Sequence, residues 1–288
     1  MKNVFMCGVV IALCLACGED EGDGAVWICD GGVHPHCGPG NRFVFSLGGD
    51  IFYRDGPGRQ LTRVTDTLLV YEDWPFWAPD GEYIVFSALD KITAEEDIYK
   101  IRKDGTGLSR LTYTGGACPA WSPDGRTIAY IGKANGDIWK VPAEGGEAVR
   151  LTSWGRCGPP SWSPGGERVV FYGPNPKDPL GPSYIWYTSA DGTKTGNFTK
   201  EWQGYGARVA WRPGGEWLAA QSRTEEFPCE IYMINVKGGR AYQLTREPKK
   251  EDQFQSGATE PMWSEDGGDI YFLSDRGPNG IFKITVAR

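Results

Sequence analysis

Hydrophobic and polar positions in this 288-residue chain alternate in short runs separated by turn residues. The run Thr127-Ile128-Ala129-Tyr130 shows the alternation, and the stretch before it, Pro119-Ala120-Trp121-Ser122-Pro123-Asp124-Gly125, shows the punctuation. A period of two is that of a half-buried β-strand, and a helical period does not accompany it. Pro123 presets φ for the first corner of the turn, Asp124 can bond its own backbone, and Gly125 takes the φ > 0 exit. Near copies stand at 75–81, 160–166, 209–215 and 261–267. A repeat of roughly 40–50 residues built from strands predicts a repeat architecture.

Aligned, each copy divides into four strands. The first ends on Trp77, Trp121, Trp162, Trp211 or Trp263, and the second covers 83–87, 127–131, 168–172, 217–221 or 269–274. The third begins near Asp97, Asp137, Tyr184, Glu230 or Gly280, and the fourth ends on Thr112, Thr152, Thr199 or Thr245. A weaker copy precedes these, with Asn41 to Ser46, Asp50-Ile51-Phe52 and Leu61-Thr62 as its later strands. Sliding the alignment back sets Pro35-His36 over Ala120-Trp121, so residues 34–37 become a degenerate first strand. The last copy has three strands and then stops, and Ala25-Val26-Trp27-Ile28 is available as its missing outer strand. The expectation is an all-β, six-bladed propeller of four-stranded antiparallel blades over 25–288, its ring closed by an N-terminal strand in the last blade.

The repeated Pro-x-Trp-Ser-Pro-Asp-Gly, with a downstream Asp-Ile-aromatic and a terminal Leu-Thr, resembles the propeller repeats of the TolB type. The same repeat occurs in propeller domains of prolyl oligopeptidase-like enzymes. The resemblance covers roughly residues 35–288 and implies the propeller fold; the α/β domain that precedes the propeller in TolB has no counterpart in it.

Composition changes the picture in three places. The 41 Gly and 20 Pro fall at regular turn positions and so punctuate strands. A formal net charge of -7 argues against a nucleic-acid partner, which needs a basic face. Lys2 followed by the apolar stretch 4–16 reads as a signal peptide over 1–16. Leu15-Ala16-Cys17-Gly18 resembles a bacterial lipoprotein cleavage site, with Cys17 as the lipidated residue and 17–24 as an acidic tether; ordinary cleavage near Ala16 is the alternative. Either form of export permits disulfides. The candidates are Cys29 with Cys37 across a short loop, and Cys118 with Cys157 ahead of successive Pro-x-Trp strands, leaving Cys229 over.

Residues repeated at one position in most blades are assigned to the scaffold: the motif Trp residues, and Asp50, Asp97, Asp137 and Glu230. Function is sought where blades differ. The long loops are 88–96, 173–183 and 222–229 between second and third strands, and 66–74, 200–207 and 246–260 between blades. Both sets emerge on one face of an up-and-down blade, opposite the short Pro-Asp-Gly turns. The candidate partner-binding residues on that face are Asp73, Trp74, Trp154, Arg156, Trp202, Tyr205, Arg208 and Glu260, with Tyr113 and Phe254 beside them. Trp74, Arg208 and Glu260 should border the central channel.

Catalytic readings fare poorly. The two histidines, His34 and His36, leave a Ser-His-Asp triad without support. The TolB-type propeller also occurs in metal-dependent polysaccharide lyases, which need several histidines around the channel. Cys29, His34, His36 and Cys37 match zinc ligands by type, but their spacing in an exported chain favours a disulfide. Asp266 and Asp269 bracket a turn without a calcium-ligand pattern. The expectation is therefore a non-enzymatic, monomeric propeller without metal or cofactor, in the bacterial periplasm or at the outer membrane. It meets the membrane only through a lipid anchor and binds a protein or peptide of the envelope. The alternative is a carbohydrate-binding or carbohydrate-cleaving propeller.

Overall fold

The computed structural model describes residues 25–30, 32–56, 59–175, 177–199, 208–222, 229–246, 257–274 and 280–286. The signal peptide over 1–16, Cys17 and the tether over 17–24 lie outside these residues, as do Trp202, Tyr205, Phe254 and the Cys29 side chain.

The described strands form six four-stranded antiparallel sheets. Their inner strands are Val33–Gly38, Val70–Trp77, Gly116–Trp121, Ser161–Trp162, Val209–Trp211 and Thr259–Trp263. Each touches the inner strand of the next blade, and the last touches the first, so the sheets close into a six-bladed propeller. Val26–Asp30 pairs with Gly280–Thr285 and supplies the outer strand of blade 6, as the missing fourth strand predicts.

Three local devices account for the repetition. At the hinge of blade 3, the Ser122 hydroxyl donates to Asp124 (2.6 Å) and accepts the Thr127 N–H (2.9 Å), while Asp124 accepts the Arg126 N–H (3.0 Å). Gly125, at φ 71°, completes a turn that a side chain would strain. The motif Trp residues pack between blades: Trp77 lies with Val44 and Ile51 of blade 1, and Trp121 with Val85 and Ile98 of blade 2. Trp162 donates its indole N–H to Ala120 O of the preceding blade (3.2 Å), and Trp263 does the same to Ala210 O (3.1 Å). At the outer edge of blades 1 to 5, a threonine hydroxyl accepts a third-strand N–H, as Thr152 does from Ile138 (3.0 Å). The same hydroxyl donates to Asp137 (3.0 Å), which also takes the Gly155 N–H (2.8 Å) and Arg150 (2.5 Å). Thr112 with Asp97 and Thr245 with Glu230 repeat the bond, so these acids hold the scaffold.

Blade 1 corrects the alignment by one residue. Cys37 pairs with Phe43 where Trp121 pairs with Ile128, because the Pro39-Gly40-Asn41 turn is one residue shorter than its counterparts. Cys37 therefore takes the tryptophan position and His36 takes that of Ala120. The expected disulfides are not formed: Cys37, Cys118 and Cys157 are free thiols. Cys118 lies three residues before its motif Trp and Cys157 five, and Cys157 packs into the core of blades 3 and 4 with Val169 and Phe171. The Cys37 thiol lies among Phe43, Met262 and Tyr271.

Candidate functional site

Four inner strands carry the same irregularity. Their register slips between Val33 and His36, Asp73 and Phe76, Ala117 and Ala120, and Thr259 and Met262. Inside each slip one non-glycine residue has a left-handed backbone: His34 (φ 50°), Trp74 (φ 53°), Cys118 (φ 53°) and Glu260 (φ 55°). A β-bulge re-aims a side chain, and here it does so at one height in four blades. Pro159 and Arg208 hold the equivalent positions in blades 4 and 5, where a ring-locked φ forbids the bulge in the first case.

The re-aimed side chains meet. The His34 ring stacks on Trp74 (3.6 Å between centroids, 15° between planes), and its Nδ1 lies 2.7 Å from Asp73 Oδ1. Arg208 donates from Nη1 to Pro35 O (2.5 Å) and to Glu260 Oε2 (3.0 Å), with its guanidinium over the Trp74 ring (5.7 Å). The Glu260 N–H goes to Gln221 Oε1 (3.3 Å). Burial pushes the Asp73 carboxyl up, but the His34 ring and the Trp74 N–H outweigh it and hold it below the usual range. Burial, followed by the fields of Glu260 and Glu96, pushes the Cys118 thiol up and keeps it protonated. Two charge-matched pairs thus lie inside the cluster, His34 with Asp73 and Arg208 with Glu260.

The structure thus brings Asp73, Trp74, Arg208 and Glu260 together and leaves other candidates apart. Trp154 packs on Trp186 (4.8 Å) and Phe171 (5.7 Å) and pins its loop to blade 4. Arg156 is exposed, and Tyr113 is exposed beneath the Arg110 guanidinium (4.7 Å). Sequence reasoning assigned His34 and Cys118 elsewhere, although both stand three residues before the tryptophan position.

Below the cluster a cavity of about 390 Å³ opens toward the short turns, lined by the motif tryptophans, by Pro79, Pro123 and Pro164, and by Arg208 and His36. His34, Trp74, Cys118 and Glu260 do not line it, so the cluster separates the cavity from the long-loop face. His36 accepts the Trp77 N–H on Nδ1 (3.2 Å) and stacks on Phe76 (3.5 Å). Burial and then the Arg208 charge hold its pKa well below 6.5. The unfolded chain therefore binds a proton below pH ~6.5 that the folded chain refuses. Stability is fully present above that pH and is expected to fall by about 1.4 kcal/mol per unit as the pH drops toward the folded-state value. Urea midpoints at pH 7 and 5.5 check this: His36→Gln, which keeps an acceptor, should flatten the slope, and an equally steep slope in the variant would refute the assignment.

No family model matches the chain. An uncharacterized peptidase of Bacillus subtilis, YuxL, is 36% identical over 123 residues, covering 38% of this chain and 18% of that protein. The uncharacterized protein Atu1656 of Agrobacterium fabrum is 34% identical over 128 residues, covering 42% of each. The matches thus span less than half of either relative's length. Among solved structures, a putative TolB from Agrobacterium tumefaciens superposes with a TM-score of 0.67 at 19% identity, covering 88% of this chain and 90% of that one. TolB from Acinetobacter baumannii gives 0.65 at 17%, covering 86% and 64%. An oligogalacturonate lyase from Vibrio parahaemolyticus gives 0.62 at 12%, covering 95% and 96%. The chain has the fold of the TolB-type six-bladed propellers.

Proposed function

We propose that this TolB-type propeller is a non-catalytic binding protein of a bacterial envelope, holding a protein or peptide on its long-loop face beside the channel mouth. One observation carries the reading: an apolar crest on that face at blades 1 and 2. Leu68 is 87% exposed and Ile92 74%, with Leu69, Leu47 and Tyr71 also exposed. They are contiguous, since Lys91 N–H donates to Leu69 O (3.0 Å) and Glu72 N–H to Gly49 O (2.9 Å). Clustered exposed apolar side chains mark interaction surfaces, whereas single ones do not.

The path of the N-terminal strand supports the same orientation. Val26 lies opposite Lys283, beside the hinge of blade 6, and Asp30 opposite Gly280, so the strand starts at the short-turn face and runs toward the long loops. A lipid on Cys17 would draw the short-turn face toward the membrane, since eight extended residues reach at most about 25–30 Å. The crest would point away from it, toward periplasmic partners.

The test is capture from envelope extract by the native chain and by the triple variant Leu68→Ser, Leu69→Ser, Ile92→Ser, whose changes are all at the surface. Loss of the captured partner in the folded variant is expected. Unchanged capture would overturn the assignment. A glycan in the channel is the second reading, favoured by its aromatic lining, and soluble glycans that compete with the captured partner would bring it forward.

A further inference from the structure

Beneath the crest, between blades 1 and 2, lies a second cavity of about 250 Å³. Its walls are apolar, from Val70, Phe86, Tyr99 and Leu108, while Glu72, Asp90, Glu95 and Asp97 face Arg110 as its charged groups. The volume is below the roughly 300–1,000 Å³ of small-molecule sites and suits one long side chain.

The carboxylates are not equivalent. Asp97 is committed to Arg110 (2.5 Å) and Thr112 (2.7 Å). Asp90 is turned onto its own loop, accepting the N–H groups of Ile92 (2.7 Å) and Thr93 (3.0 Å). Glu95 is 67% exposed at the rim, 3.7 Å from Arg110. Glu72 is 3% exposed and, among the described residues, accepts the neutral hydroxyls of Thr65 and Thr67. Among the described residues no Lys or Arg is within ion-pair distance of it. Burial accordingly raises its pKa, with the two hydroxyls pulling the other way. The fold has already desolvated this carboxylate, so an arriving cation would gain its attraction without that part of the usual cost.

Resting on the peptide-binding reading above, we propose that this cleft receives a lysine or arginine side chain of the protein partner. The aliphatic stem lies along Phe86, Val70 and Leu108, and the cation reaches Glu72 and Glu95. Apolar residues flanking that cation in the partner lie on Leu68, Leu69 and Ile92. Thr67 and Val70 line the cleft and enclose Leu68-Leu69 in the chain, which joins the apolar crest to the acidic pocket as one surface. A metal ion is a poor occupant, because no three potential ligands among the described residues converge on one point. An anionic lipid surface is repelled by the carboxylates.

The probes are blocked pentapeptides Leu-Leu-X-Leu-Ser, with X as Lys, Arg, uncharged norleucine or Glu, titrated into the full chain and followed by NMR shifts. Lys and Arg peptides are expected to bind at least tenfold tighter than norleucine, with shifts centred on Val70, Phe86 and Leu108. Glu72→Gln should remove the Lys-over-norleucine preference, and Leu69→Ser should weaken all four peptides alike. Glu95→Gln at the exposed rim should lower Lys and Arg affinity severalfold and serves if Glu72→Gln does not fold. Norleucine binding as tightly as Lys would overturn the proposal, and so would self-association of the chain abolished by Leu69→Ser. Shifts elsewhere on the long-loop face would overturn the cleft while leaving peptide binding in place. No binding of any peptide would overturn both.

Discussion

Replacing Arg208 by alanine is expected to destabilise the propeller by about 3–5 kcal/mol, the cost of removing one partner of a buried ion pair. The pair is well enclosed: the side chains of Arg208 and Glu260 are 11% and 9% exposed. Removal leaves the Glu260 carboxylate buried without its cation and Pro35 O without its donor. It also removes the charge over Trp74. Arg208 stands in blade 5, Glu260 in blade 6, Pro35 in blade 1 and Trp74 in blade 2, so a single guanidinium ties four inner strands across the channel. Urea unfolding of Arg208→Ala, Glu260→Gln and an Arg208→Met, Glu260→Leu double variant checks the argument. The double variant should recover much of the loss, because no unpaired charge remains. A loss below about 1 kcal/mol in Arg208→Ala would show that water reaches the pair more freely than its burial implies.

This result bears on where function is sought. Arg208 and Glu260 carry the residue types of a contact surface, yet their bonds are spent inside the ring, and His34 with Asp73 is similarly satisfied. At the channel mouth His34 with Asp73 and Arg208 with Glu260 are engaged with each other, whereas the apolar crest of blades 1 and 2 stands exposed. Binding variants are therefore best placed on the crest, where surface changes alter contact and leave the fold intact.

The legibility of the sequence follows the same division. Trp121, Ser122, Asp124, Gly125 and Thr152 act within one blade or against its neighbour, so the chain repeats them and the repeat exposes their role. The position of His34, Trp74, Cys118, Pro159, Arg208 and Glu260 holds a different residue in every blade. What recurs there is a backbone bulge in four of the blades, which side-chain periodicity does not reveal. Cys118 and Cys157 both precede a Pro-x-Trp strand, which suggests a pair, but a two-residue offset sends one toward the channel and the other into the core. The one-residue contraction at Pro39-Gly40-Asn41 shifted the reading of His36 and Cys37 in the same way. Leu68, Leu69 and Ile92 are ordinary loop residues in sequence, and only the adjacency of loops from two blades makes them a crest.

Removing the closing strand should have a larger effect than any single substitution. In a chain beginning at Gly32, the strand Gly280–Thr285 loses its partner Val26–Asp30 and becomes an open edge beside the first blade. Ala25 is fully buried in the core of blades 5 and 6, and Trp27 packs against the same cluster. Ile28 packs against the cluster of blades 1 and 6. Their loss withdraws apolar burial worth on the order of 5 kcal/mol at about 25 cal/mol per Å², and an unpaired flat edge recruits other chains. The expected outcome is aggregation, or oligomers, where a chain beginning at Gly24 stays monomeric by light scattering. A synthetic peptide spanning Ala25 to Asp30, added during refolding, should restore the monomer if strand pairing is what closes the ring. If the shortened chain remains monomeric and melts within a few degrees of the longer one, closure rests on the inner-strand contacts between Val33–Gly38 and Thr259–Trp263 instead.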